Sequence, residues 1–388
     1  MIDFDAPFDR SGGDSLKWGR YRNQDVIPAW VADMDFPSPP VVIDAIAARL
    51  RDHPILGYER PGAGLFAAIQ DYLKAFHGWD VARETIVFLP GLVPALNWCC
   101  AMAGEPGDEI LVPAPIYPPF LSAPGNQNRR CIRLPHHRTG DTWQMSLERW
   151  EELVTPQSRA ILFCHPHNPL GRCWSDEELS AVVDFCQRHN LLIISDEIHC
   201  QLLLEEHAGS PAFRSTARVN DWARENCVTL LAPSKTYNIP GMACAFAVIE
   251  NAELRQRFAR ASAGCIPEIT PLSFIAAEAA YRHGEPWRQQ MLSVLRRNRD
   301  LFRAAAANWP GVIDNGLEAT YLLWLDVRGL GYENPHAAFE GGGVGLGEGA
   351  AFGDKHFLRV NLATQLSTLQ EIIVRMDKVV RAAPALIS

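Results

Sequence analysis

Three segments of this chain place chemically useful side chains directly after apolar runs. Ala160 to Cys164 leads into His165-Pro166-His167-Asn168-Pro169-Leu170-Gly171-Arg172. Leu191 to Ser195 leads into Asp196-Glu197-Ile198-His199. Val228 to Leu231 leads into Ala232-Pro233-Ser234-Lys235-Thr236-Tyr237-Asn238. An amide, a carboxylate and an amine would meet if the three runs lay side by side. An amine can take a proton or attack a carbonyl, and a buried carboxylate can hold a cation. Each segment has an ordinary explanation when taken alone. Asn-Pro-x-Gly is a good turn, an Asp after a strand is often a helix cap, and a Lys there is usually solvated. The combination, in this order, is what points to a site.

The runs themselves read as strands. They show no polar alternation, which suits parallel strands covered on both faces. Between the first two lies a helix, opened by a capping box of Ser175 and Glu178. Leu179, Val182, Val183 and Cys186 then mark one face. Strand, helix and strand make a right-handed crossover unit. In open sheets of this kind ligands sit beyond the carboxyl ends of the strands. An earlier helix is expected over Leu65 to Phe76. After Pro286 the texture changes. A long helix over Trp287 to Trp309, strands over Ala319 to Val327 and Phe357 to Leu362, and a last helix over 368–381 form an α+β tail. The predicted organisation is a large domain over 46–285 and a smaller one formed by 1–45 with 286–388. The Pro-rich first ~40 residues are expected to lie on the smaller domain.

Composition narrows the function classes. The chain has 388 residues, 47% of them hydrophobic and 21% charged, which are globular values. Lys and Arg number 36 against 45 Asp and Glu, a formal charge of −9 that argues against a nucleic-acid partner. The longest apolar runs, such as Ala243 to Ile249, fall far short of the ~18 residues of a membrane span. The N-terminus shows no secretory pattern. The ten cysteines include no C-x-x-C pair, which reads as free thiols in a reducing, cytoplasmic setting. No metal site is expected.

Five motifs carry a resemblance to a known family. They are Trp30-Val31-Ala32-Asp33-Met34-Asp35-Phe36, Pro166-His167-Asn168-Pro169-Leu170-Gly171-Arg172, Ser195-Asp196-Glu197-Ile198-His199, Ser234-Lys235-Thr236-Tyr237-Asn238 and Phe357-Leu358-Arg359-Val360-Asn361. With them the chain resembles the fold-type I pyridoxal-phosphate enzymes of the aminotransferase class I/II superfamily, along essentially its whole length. More narrowly, it is similar to the MalY/PatB-like cystathionine β-lyases, a group of C–S lyases. The resemblance implies an α/β, aspartate-aminotransferase-like fold with a mostly parallel mixed sheet in its large domain. It implies pyridoxal 5′-phosphate as cofactor and a small-molecule amino-acid substrate. It also implies a homodimer with shared active sites.

Residue roles follow from the resemblance. Lys235 matches the lysine that forms an imine with the cofactor. Asp196 matches the carboxylate that keeps the ring nitrogen protonated, so that the ring can act as an electron sink. Asn168 matches the donor to the phenolic oxygen, and Tyr117 the aromatic that stacks on the ring. His199 stands where many relatives place a tyrosine and is expected to support the cofactor. Arg359 matches the arginine that grips the substrate α-carboxylate in a fork. The Ala32 backbone resembles the segment that closes over that carboxylate. Tyr58 matches a tyrosine that reaches the phosphate from the neighbouring subunit. For the phosphate, Gly91, Leu92 and Val93 follow the strand Ile86 to Leu89 and open an apolar helix. Backbone N–H groups at such a terminus bind anions. Ser234 is a second phosphate donor.

Some positions depart from the family pattern. Ala232 replaces a common Ser or Thr and removes one phosphate hydroxyl. His165 replaces a common Asn, and Pro240 and Asp354-Lys355-His356 alter the approaches to Lys235 and Arg359. Two glycine runs, Gly62 to Ala67 and Glu340 to Gly349, lack the context of a dinucleotide fingerprint. The expected reaction is cleavage of cystathionine or a related cysteine S-conjugate to a thiol, pyruvate and ammonia. An aminotransferase acting on a small amino acid is the alternative. Thr236 to Leu254 holds no Arg for the phosphate, which favours the lyase. A ligand-sensing regulator on this fold would usually need a DNA-binding domain ahead of Trp30, where there is little room.

Overall fold

The structure, a computed structural model, describes residues 2–10, 12–140, 142–205 and 213–384. The strands in chain order are β1 (Ile27–Ala29), β2 (Ile86–Leu89), β3 (Glu109–Ala114), β4 (Arg130–Thr139), β5 (Thr142–Met145), β6 (Ser158–Cys164) and β7 (Leu192–Asp196). They continue as β8 (Cys227–Leu231), β9 (Ala245–Val248), β10 (Ile313–Asp314), β11 (Leu322–Asp326), β12 (Val344–Glu348) and β13 (Phe357–Asn361).

Two sheets result. The larger has the order β2-β9-β8-β7-β6-β3-β4-β5. Its centre, from β8 through β4, is parallel, while β9 and β5 run the other way. The parallel strands expected from the apolar runs, and the mixed sheet implied by the resemblance, are therefore present. Ile193, Ile194, Ile161, Leu162, Val228 and Leu230 are fully buried, as strands covered on both faces must be. The predicted crossover helix spans Asp176–Arg188 and opens with the Ser175–Glu178 capping box. The earlier helix spans Ala63–His77 and stops at Gly78, whose φ of 58° the following turn requires.

The smaller sheet has the order β1-β12-β13-β11-β10. Its first strand comes from the irregular N-terminal stretch and pairs in parallel with β12. Helices Glu285–Ala306 and Leu366–Arg381 belong to this part of the chain. Leu369, Ile372, Met376 and Val380 recur at helical spacing and are buried in the same core as β11 and β13.

One strand is shorter than predicted. Ala319 to Val327 reads as a single apolar run, but β11 starts only at Leu322. The left-handed backbone of Thr320, φ 72°, breaks the extended conformation there. Tyr321 thus lies at the head of the strand rather than within it.

The ten cysteines are unpaired, and seven of them are buried. Among the described residues no helix is long and apolar enough to cross a membrane.

Candidate active site

The register of the larger sheet brings the three segments together. Cys164 at the end of β6 pairs with Asp196 of β7, and Asp196 pairs with Leu230 of β8. Asn168, Asp196 and Lys235 therefore emerge at the same edge on adjacent strands. The connection reverses between β6 and β3, the kind of switch point where open sheets bind ligands. Tyr117 follows β3 across that switch, and its N–H donates to the Asn168 carbonyl at 3.2 Å.

All the candidate residues except Tyr58 line one cavity of about 380 Å³. Arg359 reaches it from β13 of the other sheet, and Ala32 from the segment after β1. Tyr58 lies on the irregular stretch 53–62 of its own chain, 93% exposed, and takes no part in this cavity. His165 and Glu197 lie behind the wall. Glu197 Oε1 accepts from Ser195 Oγ, Ser215 Oγ and the Thr216 N–H. Burial pushes its pKa up to about 7.

The electrostatics are those of charges held out of water. Burial, then the Arg359 charge, lowers the Lys235 pKa to about 8, against the pull of Asp33 and Asp196. Its Nζ donates to the Ala32 carbonyl at 2.6 Å. Burial raises Asp196 to about 7, although the Ile198 N–H and Lys235 favour its charge. An adjoining cation would bring that value down and be held in return. Burial lowers Arg359 to about 10 and His199 to about 3, so His199 is a neutral imidazole near neutral pH.

Arg359 is held in place by Nη1 on Asn168 Oδ1 at 3.1 Å and Nη2 on the Trp30 carbonyl at 2.7 Å. Its Nε is buried without a partner. The bond to Asn168 occupies the oxygen of that amide and leaves its NH2 end to donate. Also lining the cavity, the helix Leu92–Met102 starts at Gly91 with no side chain capping it. Its first N–H groups stand where an anion can take them. Ser234 lines the same cavity.

An uncapped helix terminus, a buried carboxylate, a free amide donor and a low-pKa amine in one cavity fit a ring that carries a phosphate, a basic nitrogen and an aldehyde. The unpartnered Arg359 Nε fits a carboxylate beside it. These residues would hold pyridoxal phosphate and an amino acid together.

Sequence reasoning gave no role to several residues placed here. Trp30, Leu16 and Val31 line the cavity with apolar surface. Tyr321 donates to the Ala32 carbonyl at 3.1 Å. The Trp30 to Phe36 motif was the available signal, but an irregular segment has no period from which to read which way its groups face.

Comparison with known proteins agrees with this geometry. The family model for aminotransferase class I and II matches residues 29–376. The chain is 32% identical to cystathionine beta-lyase PatB of Bacillus subtilis over 97% of its own length and 99% of that protein. The crystal structure of a protein called OvoB superposes with a TM-score of 0.94 at 36% identity, covering 98% of this chain and 99% of that one. Cystalysin from Treponema denticola, whose crystal structure contains pyridoxal 5′-phosphate, superposes with a TM-score of 0.93 at 29% identity, over 98% and 99% of the two chains. The chain belongs to the class I and II aminotransferase family.

Proposed function

We propose that this chain is a pyridoxal-phosphate-dependent C–S β-lyase, cleaving cystathionine or a related cysteine S-conjugate to a thiol, pyruvate and ammonia. The observation that carries this reading is the meeting of Lys235, Asp196 and Arg359 in one cavity. The names of the relatives at about a third identity support elimination at the β-carbon over amino transfer.

When bound, pyridoxal phosphate supplies an electron sink that lowers the cost of removing the proton from an amino acid's α-carbon. The chain's own groups do the rest. Asp196 would keep the ring nitrogen protonated, and each unit of pKa it adds would favour that state by about 1.4 kcal/mol. Asn168 would donate to the phenolic oxygen, and Tyr117 would lie beside the ring. The N–H groups at Gly91, Leu92 and Val93, with Ser234, would hold the phosphate. Arg359 takes the α-carboxylate, and the Ala32 backbone closes over it. Lys235 accepts the α-proton. Its lowered pKa leaves a useful fraction as free amine near neutral pH. His199, neutral and buried, supports the cofactor without adding charge.

The same reading includes a homodimer in which Tyr58 reaches the partner's phosphate. The exposure of Tyr58, with Ile55 and Leu56 beside it, supports a covered surface there. It includes the division into a unit over 46–285 and a smaller one over 1–45 with 286–388, which the two separate sheets support. It also includes a cytoplasmic setting, supported by ten unpaired cysteines.

The test is to incubate the cofactor-loaded protein with L-cystathionine, without any 2-oxo acid, and to follow pyruvate. Release over many turnovers is expected. Absence of pyruvate from cystathionine and from other cysteine conjugates would leave amino transfer as the reaction.

A further inference from the structure

The segment from Trp30 to Phe36 is held by side chains at every carbonyl. Trp30 O accepts from Arg359, Val31 O and Asp33 O from Asn361, and Ala32 O from both Lys235 and Tyr321. Met34 O accepts from Arg10 and Asn238, Asp35 O from Gln365, and Phe36 O from Asn238. The two bonds from Asn361 Nδ2, at 2.6 and 2.7 Å, fix the carbonyls on either side of Ala32. The Ala32 carbonyl is therefore aimed, not free to turn.

Asp33 is arranged with equal care. Its Oδ2 accepts from Arg10 Nη2 at 2.7 Å, and Arg10 is itself tied to Asp35 Oδ1 and the Met34 carbonyl. Its Oδ1 is buried and has no partner. A carboxylate so placed has spare charge, and that charge acts on both Lys235 and Tyr321.

We propose that Ala32 and Asp33 form a seat for the protonated amine of Lys235, the carbonyl by a direct hydrogen bond and the carboxylate by its charge, with Tyr321 as the positioning residue that fixes the carbonyl. Resting on the function proposed above, the seat holds the proton that Lys235 has taken from the α-carbon. Four charged or titratable groups face Lys235 besides Asp33. Arg359 disfavours its charge, and His199 is neutral where Lys235 titrates. Asp196 favours it, but that carboxylate serves the cofactor ring. Tyr321 stays a neutral phenol, because burial pushes its pKa far up. Asp33 is then the carboxylate left to balance the proton on Lys235 beside a buried guanidinium.

The test needs no cofactor and no substrate. The full chain, stripped of cofactor, is trace-labelled with acetic anhydride at a series of pH values, and the Lys235 peptide is quantified by mass spectrometry. Only the free amine reacts. In the wild type the midpoint is expected near pH 8. In Asp33→Asn it falls by about one pH unit, about a fivefold gain in free amine at neutral pH. In Tyr321→Phe, which keeps the ring and its packing, it falls by a smaller amount. A variant that merely loosened the fold would lower its melting temperature and move the midpoint up toward that of a solvated lysine. An unchanged or raised midpoint in both folded variants overturns the seat. Because the readout is Lys235 alone, loss of pyruvate release in the substrate assay would sink the lyase reading without touching this result.

Discussion

On one wall of the crevice Asn168, Asp196 and Lys235 stand just beyond adjacent parallel strands, and the ladder of the sheet sets their spacing. On the facing wall the backbone from Trp30 to Phe36 belongs to no ladder, and its carbonyls are met by side chains from Arg10, Lys235, Asn238, Tyr321, Arg359, Asn361 and Gln365. The first wall gets its precision from repetition, so single side chains there are free for chemistry. The second gets it from individual donors, so a residue such as Arg359 both holds the wall and lines the cavity. Changes on the first wall should therefore alter chemistry while leaving the wall standing, and changes on the second should alter both.

The largest expected effect lies on the first wall. Lys235→Ala removes the proposed base and should cut pyruvate release by about 10³–10⁴-fold, while the melting temperature stays within a few degrees of wild type. A variant that turned over at the wild-type rate would break the comparison at its strongest point.

Acid should attack the first wall selectively. His199 lies on it, His165 and His167 are buried behind it, and His77 and His136 are buried near it. Burial lowers His77, His165 and His199 to about 3 and His136 to about 4, and lowers His167 as well. These folded-state values lie below the ordinary histidine value. The unfolded chain therefore gains protons below about pH 6.5 that the folded chain refuses, and stability present above that pH is lost as pH falls. Asp196 and Glu197, both raised to about 7, act in the opposite sense. The five imidazoles outweigh the two carboxylates. The cofactor-free chain should lose about 3 kcal/mol between pH 7.5 and 5.5, read from urea midpoints at the two values. A midpoint that held or rose would mean that these histidines are not neutral in the folded chain.

The second wall should answer to Asn361→Ala. The change strips the Val31 and Asp33 carbonyls of their donor, at about 1–3 kcal/mol for each group left buried and unmet. A melting temperature lower by several degrees and a raised KM for the amino acid are expected together. A drop in stability with unchanged KM would separate the segment from substrate binding.

Much of the first wall was legible in the sequence because its physics is periodic. Runs such as Leu191 to Ser195 suit strands covered on both faces, and a polar group directly after such a run is expected at the sheet edge. The capping box at Ser175 and Glu178 gave one helix boundary outright. The second wall was legible as a motif but not as a geometry. Nothing local tells that Asn361 will span two carbonyls more than three hundred residues earlier, or that Tyr321 will be freed from its strand by the left-handed turn at Thr320. Those contacts are set by how two sheets meet. Tyr58 is a different case. The role proposed for it depends on a second copy of the chain, and no reading of one chain can supply that geometry.

The run of side-chain-held carbonyls also fixes an order of assembly. Its donors come from places 203, 289 and 329 residues away along the chain. Closing loops of that length comes late in folding, after local helices and neighbouring strands have formed. The amide protons of residues 30–36 should accordingly exchange with solvent earlier than those of β6 to β8 when denaturant is raised gently. The substrate side of the crevice would then be the last part of the molecule to become native and the first to be surrendered, so a chain with this wall in place has already finished folding everywhere else.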